Sequence, residues 1–321
     1  MTHCRSTTTT TSAVLAVTLI AGLTGIASAQ PVTLRYKWTK GEEVKYRVTQ
    51  QTTATVSGLP DGMGNMNVET TMAQVIRSVV KDVAADGVVT VEQVYESIRT
   101  DINSPMARVT FDSANSDAAA DVNPMNATFR AMVGESFVIV VSPTGVVLKV
   151  EGVDRLMEKV FKTIPQSPAF TAAMQGMRNA LSDESMKQML SQGFARFPDR
   201  AVKVGESWSG ESTMINPFLG KATTTTTSTL TGVEGEVATI ATKLNLKYDA
   251  ADAAANPMGM AIKVGESGGE GELLFDMAKG QHRRSTTRMT MSFSMPTRGP
   301  DGAAMTMETV SRSLITVEIV P

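Results

Sequence analysis

The sequence predicts an α+β fold, mainly antiparallel β: two β-meander modules with a helical insert between them. Three observations carry that expectation. Apolar and polar residues alternate over most of the chain, the period changes to a helical one between about residues 153 and 194, and turn-forming pairs punctuate the alternating runs. The expected division is a signal peptide over 1–29, an N-terminal β module over 30–150, a helical insert over 151–200, and a C-terminal β module over 201–321 packing with the first.

The first element is an export signal. Met1–Ser12 carry one formal charge, Arg5, and an apolar run follows from Ala13 to Ile26. It ends at Ala27-Ser28-Ala29, the small-x-small pattern of a signal peptidase site. The run falls short of the ~20 residues that span a bilayer, so cleavage after Ala29 is expected rather than retention as an anchor. Cys4, the only cysteine, precedes the run and cannot become a lipidated N-terminus. The expected mature chain is a cysteine-free, soluble, periplasmic or extracellular protein, long enough to bury a core without disulfides.

The strands follow in order. Leu34, Tyr36 and Trp38 alternate with Arg35, Lys37 and Thr39, and Val44, Tyr46 and Val48 repeat the pattern after Lys40-Gly41. A ribbon from about Asn67 to Ala84 reaches Asp86-Gly87, a hairpin signal because both residues tolerate positive φ, and continues over Val88–Ile102. Phe137–Val141 and Val146–Val150 flank Ser142-Pro143-Thr144-Gly145, a second hairpin.

In the insert, Val153, Leu156, Met157, Val160, Phe161 and Ile164 form one helical stripe. Ser167-Pro168 starts a second helix carrying Phe170, Met174, Met177 and Leu181. Ser182-Asp183 starts a third, with Met186, Met189, Leu190 and Phe194 inward and Pro198 as its stop. Strands return over Trp208–Ile215, Ala222–Gly232 and Val237–Tyr248. A loop is expected over Asp249–Gly269, then strands over Gly271–Met277, Arg283–Met295 and Met305–Val320. Val-Gly-Glu-Ser occurs at 133–136, 204–207 and 264–267. Duplicated meanders, forming one curved sheet or a sandwich, would explain it, as would Gly-Glu pairs that simply mark turns before strands.

Composition excludes several functions. Removing the signal leaves 29 basic against 32 acidic residues with no clustered basic face, which argues against nucleic acid. No second segment reaches membrane-spanning length. One mature histidine and no cysteine leave zinc without its usual ligands, and no phosphate-binding glycine loop is present, so neither metal nor cofactor is expected. Gly265-Glu266-Ser267-Gly268-Gly269 matches the nucleophile elbow in letters. It sits in a glycine-rich loop before a strand, with Asp276 and His282 on the same local hairpin, so no catalytic residue is expected. The threonine run 223–227 reads as a solvated strand.

The export signal, Lys40-Gly41-Glu42 with Tyr46, and Gly205-Glu206-Ser207-Trp208 resemble uncharacterised exported bacterial β-rich proteins classed as a domain of unknown function. The resemblance implies a periplasmic or surface protein and supplies no catalytic residues. The leading expectation is a non-enzymatic exported protein that binds a lipid or other apolar ligand between the sheet and flexible thioether-bearing helices. Its candidate binding residues are Met157, Phe161, Met174, Met177, Met186 and Met189. A structural or assembly role in the cell envelope, with an envelope protein as partner, is the alternative, and a hydrolase is third.

Overall fold

Thirteen strands hydrogen-bond into a single antiparallel sheet in the computed structural model, which describes residues 30–59, 64–115, 124–163, 183–216, 220–249, 262–298 and 304–321. The expected signal segment 1–29 and the expected second helix of the insert, with Met174 and Met177, lie outside these residues. The first meander comprises β1 (Glu43–Ser57), β2 (Met66–Val83), β3 (Val89–Asn103), β5 (Ser136–Val141) and β6 (Val147–Glu151). A short β4 (Arg108–Asp112) folds back onto β3 and is followed by α1 (Pro124–Met132). Helices α2 (Val153–Lys162) and α3 (Asp183–Gly193) lead to the second meander. That meander contains β7 (Ser207–Asn216), β8 (Gly220–Glu234), β9 (Val237–Asp249), β11 (Ser267–Asp276), β12 (Gln281–Arg298) and β13 (Ala304–Val320), with β10 (Lys263–Val264) paired to β12.

The strand order β6-β5-β3-β2-β1-β13-β12-β11-β9-β8-β7 joins the two meanders through β1 and β13. They form one sheet, not a sandwich. Its edges are β6 and β7, and α3 packs against both. Ten strand spacings laid flat would cover ~48 Å, whereas an eleven-residue helix is ~16 Å long, so the sheet has to curl for one short helix to touch both edges.

The turns form where their residues require them. Asp86-Gly87 closes β2 onto β3 with Gly87 at φ 81°, and Ser142–Gly145 closes β5 onto β6 with Gly145 at φ 83°. The amphipathic stripe of α2 buries Val153, Leu156, Val160 and Phe161.

Three expectations need correction. The residues around Leu34–Trp38 form no strand: apart from the bridge Val32–Val202, their backbone bonds run to turns, from Tyr36 N–H to Pro143 O and from Lys37 N–H to Gly280 O. Their alternation is real but serves a segment that crosses the concave face of the sheet. There Leu34 and Tyr36 are buried against Leu230, Ile240, Leu273 and Phe275. Second, α1 and β4 arise where no element was expected. Third, the loop expected up to Gly269 ends early, because β10 and the start of β11 occupy its last residues.

Two clusters build the core. One joins Val80, Val89, Val91, Ile139 and Val141 to Val153 and Met186, and the other surrounds Leu34 and Tyr36. Trp38 and Phe194 pack against both, so the crossing segment and the residues after α3 seal one end of the curled sheet.

Candidate functional site

Beyond the sealed end the concave face changes chemistry row by row. The register places Ser228, Thr242, Gly271, Thr287 and Ile315 side by side on β8, β9, β11, β12 and β13. The next row is Thr226, Leu244, Gly269, Met289, Ser313 and Thr52, where the Thr52 and Ser313 hydroxyls bond at 2.8 Å. Further out along β12 come Met291, Phe293 and Met295, the last directly opposite Met307. These outer side chains are only half-buried. Two hydroxyl-rich rows therefore lead into an apolar rim.

A pocket of about 310 Å³ lies over the hydroxyl rows. Its roof is Phe194, Ala195 and Arg196, and its walls include Trp208, Leu244, Met289 and Val317. Trp208 Nε1 donates to the Arg196 carbonyl at 2.6 Å, which fixes roof to wall. A Cβ added at Gly271 would lie 2.8 Å from Thr242 Oγ1 and 3.0 Å from Thr287 Oγ1, so glycine there leaves the space beside the hydroxyls open.

His282 lines the same pocket, ringed by Tyr36 and Phe275, and its Nε2 lies 2.5 Å from the Tyr36 hydroxyl. Desolvation pushes the imidazole down to about 4, so it is uncharged at neutral pH. Burial is also the main cause that raises the Tyr36 phenol well above its ordinary value. The pair is a structural tie in an apolar setting.

The candidate residues from the insert take other places. Met186 is in the core, Met157 packs on it, Phe161 is buried in α2, and Met189 is 47% exposed. None of these four lines the pocket. Met289, which does line it, and the apolar stripe that continues from it along β12 come from the sheet. Their signal was present in the sequence as apolar residues at every second position of a strand.

Ser267 is not brought to His282. It opens β11, while His282 faces Phe275 eight positions further along, about 26 Å away at strand rise. The Ser267 hydroxyl bonds the Gly265 carbonyl at 3.2 Å and accepts from the Ser292 amide at 3.3 Å. Among the described residues, no three or more His, Cys, Asp or Glu side chains are grouped to hold a metal ion. In a wider, open depression of about 980 Å³ beside Pro321 several charges are engaged already: Arg283 with Asp276, Lys45 with Glu96, and Lys37 with the carbonyls of Met277 and Ala278.

Among solved structures the chain is similar to lipovitellin, from a structure entitled "Lipid-protein interactions in lipovitellin", at 7% identity and a TM-score of 0.43. That likeness covers 89% of this chain and 26% of the other, so the chain spans about a quarter of lipovitellin's length. It is similar to an outer membrane channel from Pseudomonas putida F1 at 7% identity and a TM-score of 0.27, covering 89% and 97% of the two chains. It is also similar to DynF of the dynemicin biosynthesis pathway of Micromonospora chersina at 7% identity and a TM-score of 0.20, covering 90% and 85%. No curated protein matches by sequence. A family match runs over residues 86–280, from the β2–β3 turn to the β11–β12 turn. With well over half of its length matched, the chain belongs to DUF6263, a family of unknown function.

Proposed function

We propose that this is an exported binding protein that holds a lipid or other apolar ligand along the concave face of its sheet. The observation that carries the reading is the stripe Met289, Met291, Phe293 and Met295 with Met307 beside it, apolar and half-exposed on the inner face. Apolar surface left accessible in a concavity is stabilised by an apolar occupant, and unbranched thioethers adapt to one of irregular shape.

The opposite face of β12 carries Arg284, Thr286, Arg288, Thr290, Ser292 and Ser294. A strand facing bilayer lipid has the reverse arrangement, apolar outward and polar inward, so this sheet is built to enclose an apolar guest rather than to sit in a membrane. Among the described residues no helix is long and apolar enough to cross one. The N-terminal pattern ending at Ala29 supports export, with the ligand met in the periplasm or outside the cell. An assembly role through free sheet edges has less support, since α3 packs on both β6 and β7.

Native mass spectrometry and solvent extraction of protein purified from its own cell envelope test the reading. A co-purifying apolar species, and uptake of phenylnaphthylamine with rising fluorescence, are the expected results. Protein that extracts clean and leaves the fluorophore dark would remove the proposal.

A further inference from the structure

The pocket and the rim differ in chemistry, and we infer that the ligand is an anionic amphiphile, its head on Arg196 in the pocket and its tail along the methionine rim. The inference rests on the binding reading above and adds the head group.

Among the described residues lining the pocket, Arg196 is the one lysine or arginine. Its Nη1 donates to the Glu211 carbonyl at 3.1 Å, and among the described residues it makes no ion pair. Glu211 and Glu272 border the pocket, but Gly210 and Ser212, and Gly271 and Leu273, hold the inward positions of those strands, and both glutamates are exposed on the other face. No carboxylate therefore points inward to neutralise the guanidinium. A partly buried cation is favoured when an occupant brings its counter-charge, and a guanidinium forks onto a carboxylate or phosphate with two parallel bonds. The hydroxyls of Ser228, Thr242, Ser285 and Thr287 line the same pocket as further hydrogen-bond donors.

The tail has a continuous path. Met289 belongs to both the pocket wall and the rim, and from it Met291, Phe293 and Met295 extend about 20 Å along one face of β12. Hydroxyls and a cation at the inner end, followed by thioethers to the open end, match a molecule with a charged head and one apolar tail.

Displacement of phenylnaphthylamine from the full chain by dodecanoate, dodecyl phosphate and dodecanol tests this. Both anions should displace at about tenfold lower concentration than the alcohol, the factor that one charge-assisted hydrogen bond supplies. The tighter of the two tells a carboxylate head from a phosphate one. Arg196→Gln should bring the three to parity and Arg196→Lys should keep most of the preference. Equal displacement by all three from the wild type, with the fluorophore bound, overturns the head-group inference and leaves the binding reading standing. Failure of the wild type to take up the fluorophore overturns both. The wild-type comparison decides even if a variant does not fold.

Discussion

The Tyr36 hydroxyl and His282 Nε2 meet at 2.5 Å where the segment that crosses the concave face rests on β12. Burial keeps both groups uncharged at neutral pH, and the Tyr36 ring packs edge-on against Phe194 of the pocket roof with 5.9 Å between ring centroids. One neutral contact thus ties together the crossing segment, the pocket roof and the sheet.

That tie makes stability depend on pH. His282 titrates at about 4 in the folded protein against 6.5 in an unfolded chain, so the unfolded state binds the extra proton between those values. Stability is expected to be full above pH 6.5 and to fall as pH drops towards 4, by at most about 3 kcal/mol and less where water enters the pocket. The carboxylates with lowered values act from their ordinary values downwards, 4.5 for Glu92 and Glu206 and 3.8 for Asp276, so they join only at the acid end of this range. Urea unfolding at stepped pH should show this slope in the wild type and lose it in His282→Gln.

Two glycine turns hold the crossing segment down. A Cβ at Gly145 would stand 2.2 Å from the Ala195 carbonyl oxygen and 2.8 Å from Tyr36 Cε2, and one at Gly280 would stand 2.3 Å from the Lys37 amide nitrogen. Both also have positive φ, as does Gly235, where nothing lies within 4 Å of an added Cβ. Gly235→Ala should therefore cost only the left-handed backbone term, about 1 kcal/mol. Gly145→Ala should cost roughly 3 kcal/mol or more and disturb the near-ultraviolet signal of the packed aromatic rings, because the clash adds to the backbone term. Equal losses in the two variants would contradict this packing.

Much of the sheet was legible because β2 and β3 largely alternate, β5 and β6 are apolar runs flanking a turn, and the turns carry Asp-Gly or Pro-Thr-Gly. The helix over Val153–Lys162 was legible from its stripe. What periodicity does not report is who accepts a backbone hydrogen bond, which is why Leu34–Trp38 read as a strand. Each Val-Gly-Glu-Ser ends on the first residue of a strand, Ser136 of β5, Ser207 of β7 and Ser267 of β11, which fits turn marking before strands. The apolar stripe of β12 was hidden differently. Met289 to Met295 were visible as one face of a strand, but that this face lines a concavity follows from the pairing of β1 with β13 across the whole chain, and no local pattern encodes it.

The β11–β12 turn depends on one buried carboxylate. Asp276 Oδ1 accepts from the Lys279 amide at 2.9 Å, and Oδ2 accepts from Arg283 Nε at 3.2 Å and Nη2 at 3.1 Å. The Lys279 amide, then Arg283, holds its carboxyl below the usual range. Asp276→Ala should lose about 2 kcal/mol, since it strands a part-buried amide and unpairs the guanidinium. Asp276→Asn keeps the acceptor for Lys279 and should lose clearly less. Thermal unfolding of the two variants ranks them, and an Asn variant as unstable as Ala would show that the charge, not the turn bond, holds this hairpin.

Adjacent residues on β12 provide the sharpest check on the proposed use of the concave face. Phe293 and Ser294 are consecutive, so their side chains leave the sheet on opposite sides, Phe293 with Met291 and Met295 and Ser294 with Arg288 and Thr290. An aspartate at position 294 meets water and a polar neighbourhood; one at 293 places a charge in the middle of the apolar stripe. Ser294→Asp should bind phenylnaphthylamine as the wild type does, whereas Phe293→Asp should weaken uptake by at least about tenfold, the cost of setting an unpaired charge against an apolar guest. Neither position is fully buried, so both variants should fold and show the same far-ultraviolet spectrum. If the aspartate at 294 proves the damaging one, the ligand lies on the convex face. If neither matters, the stripe is not where the ligand binds.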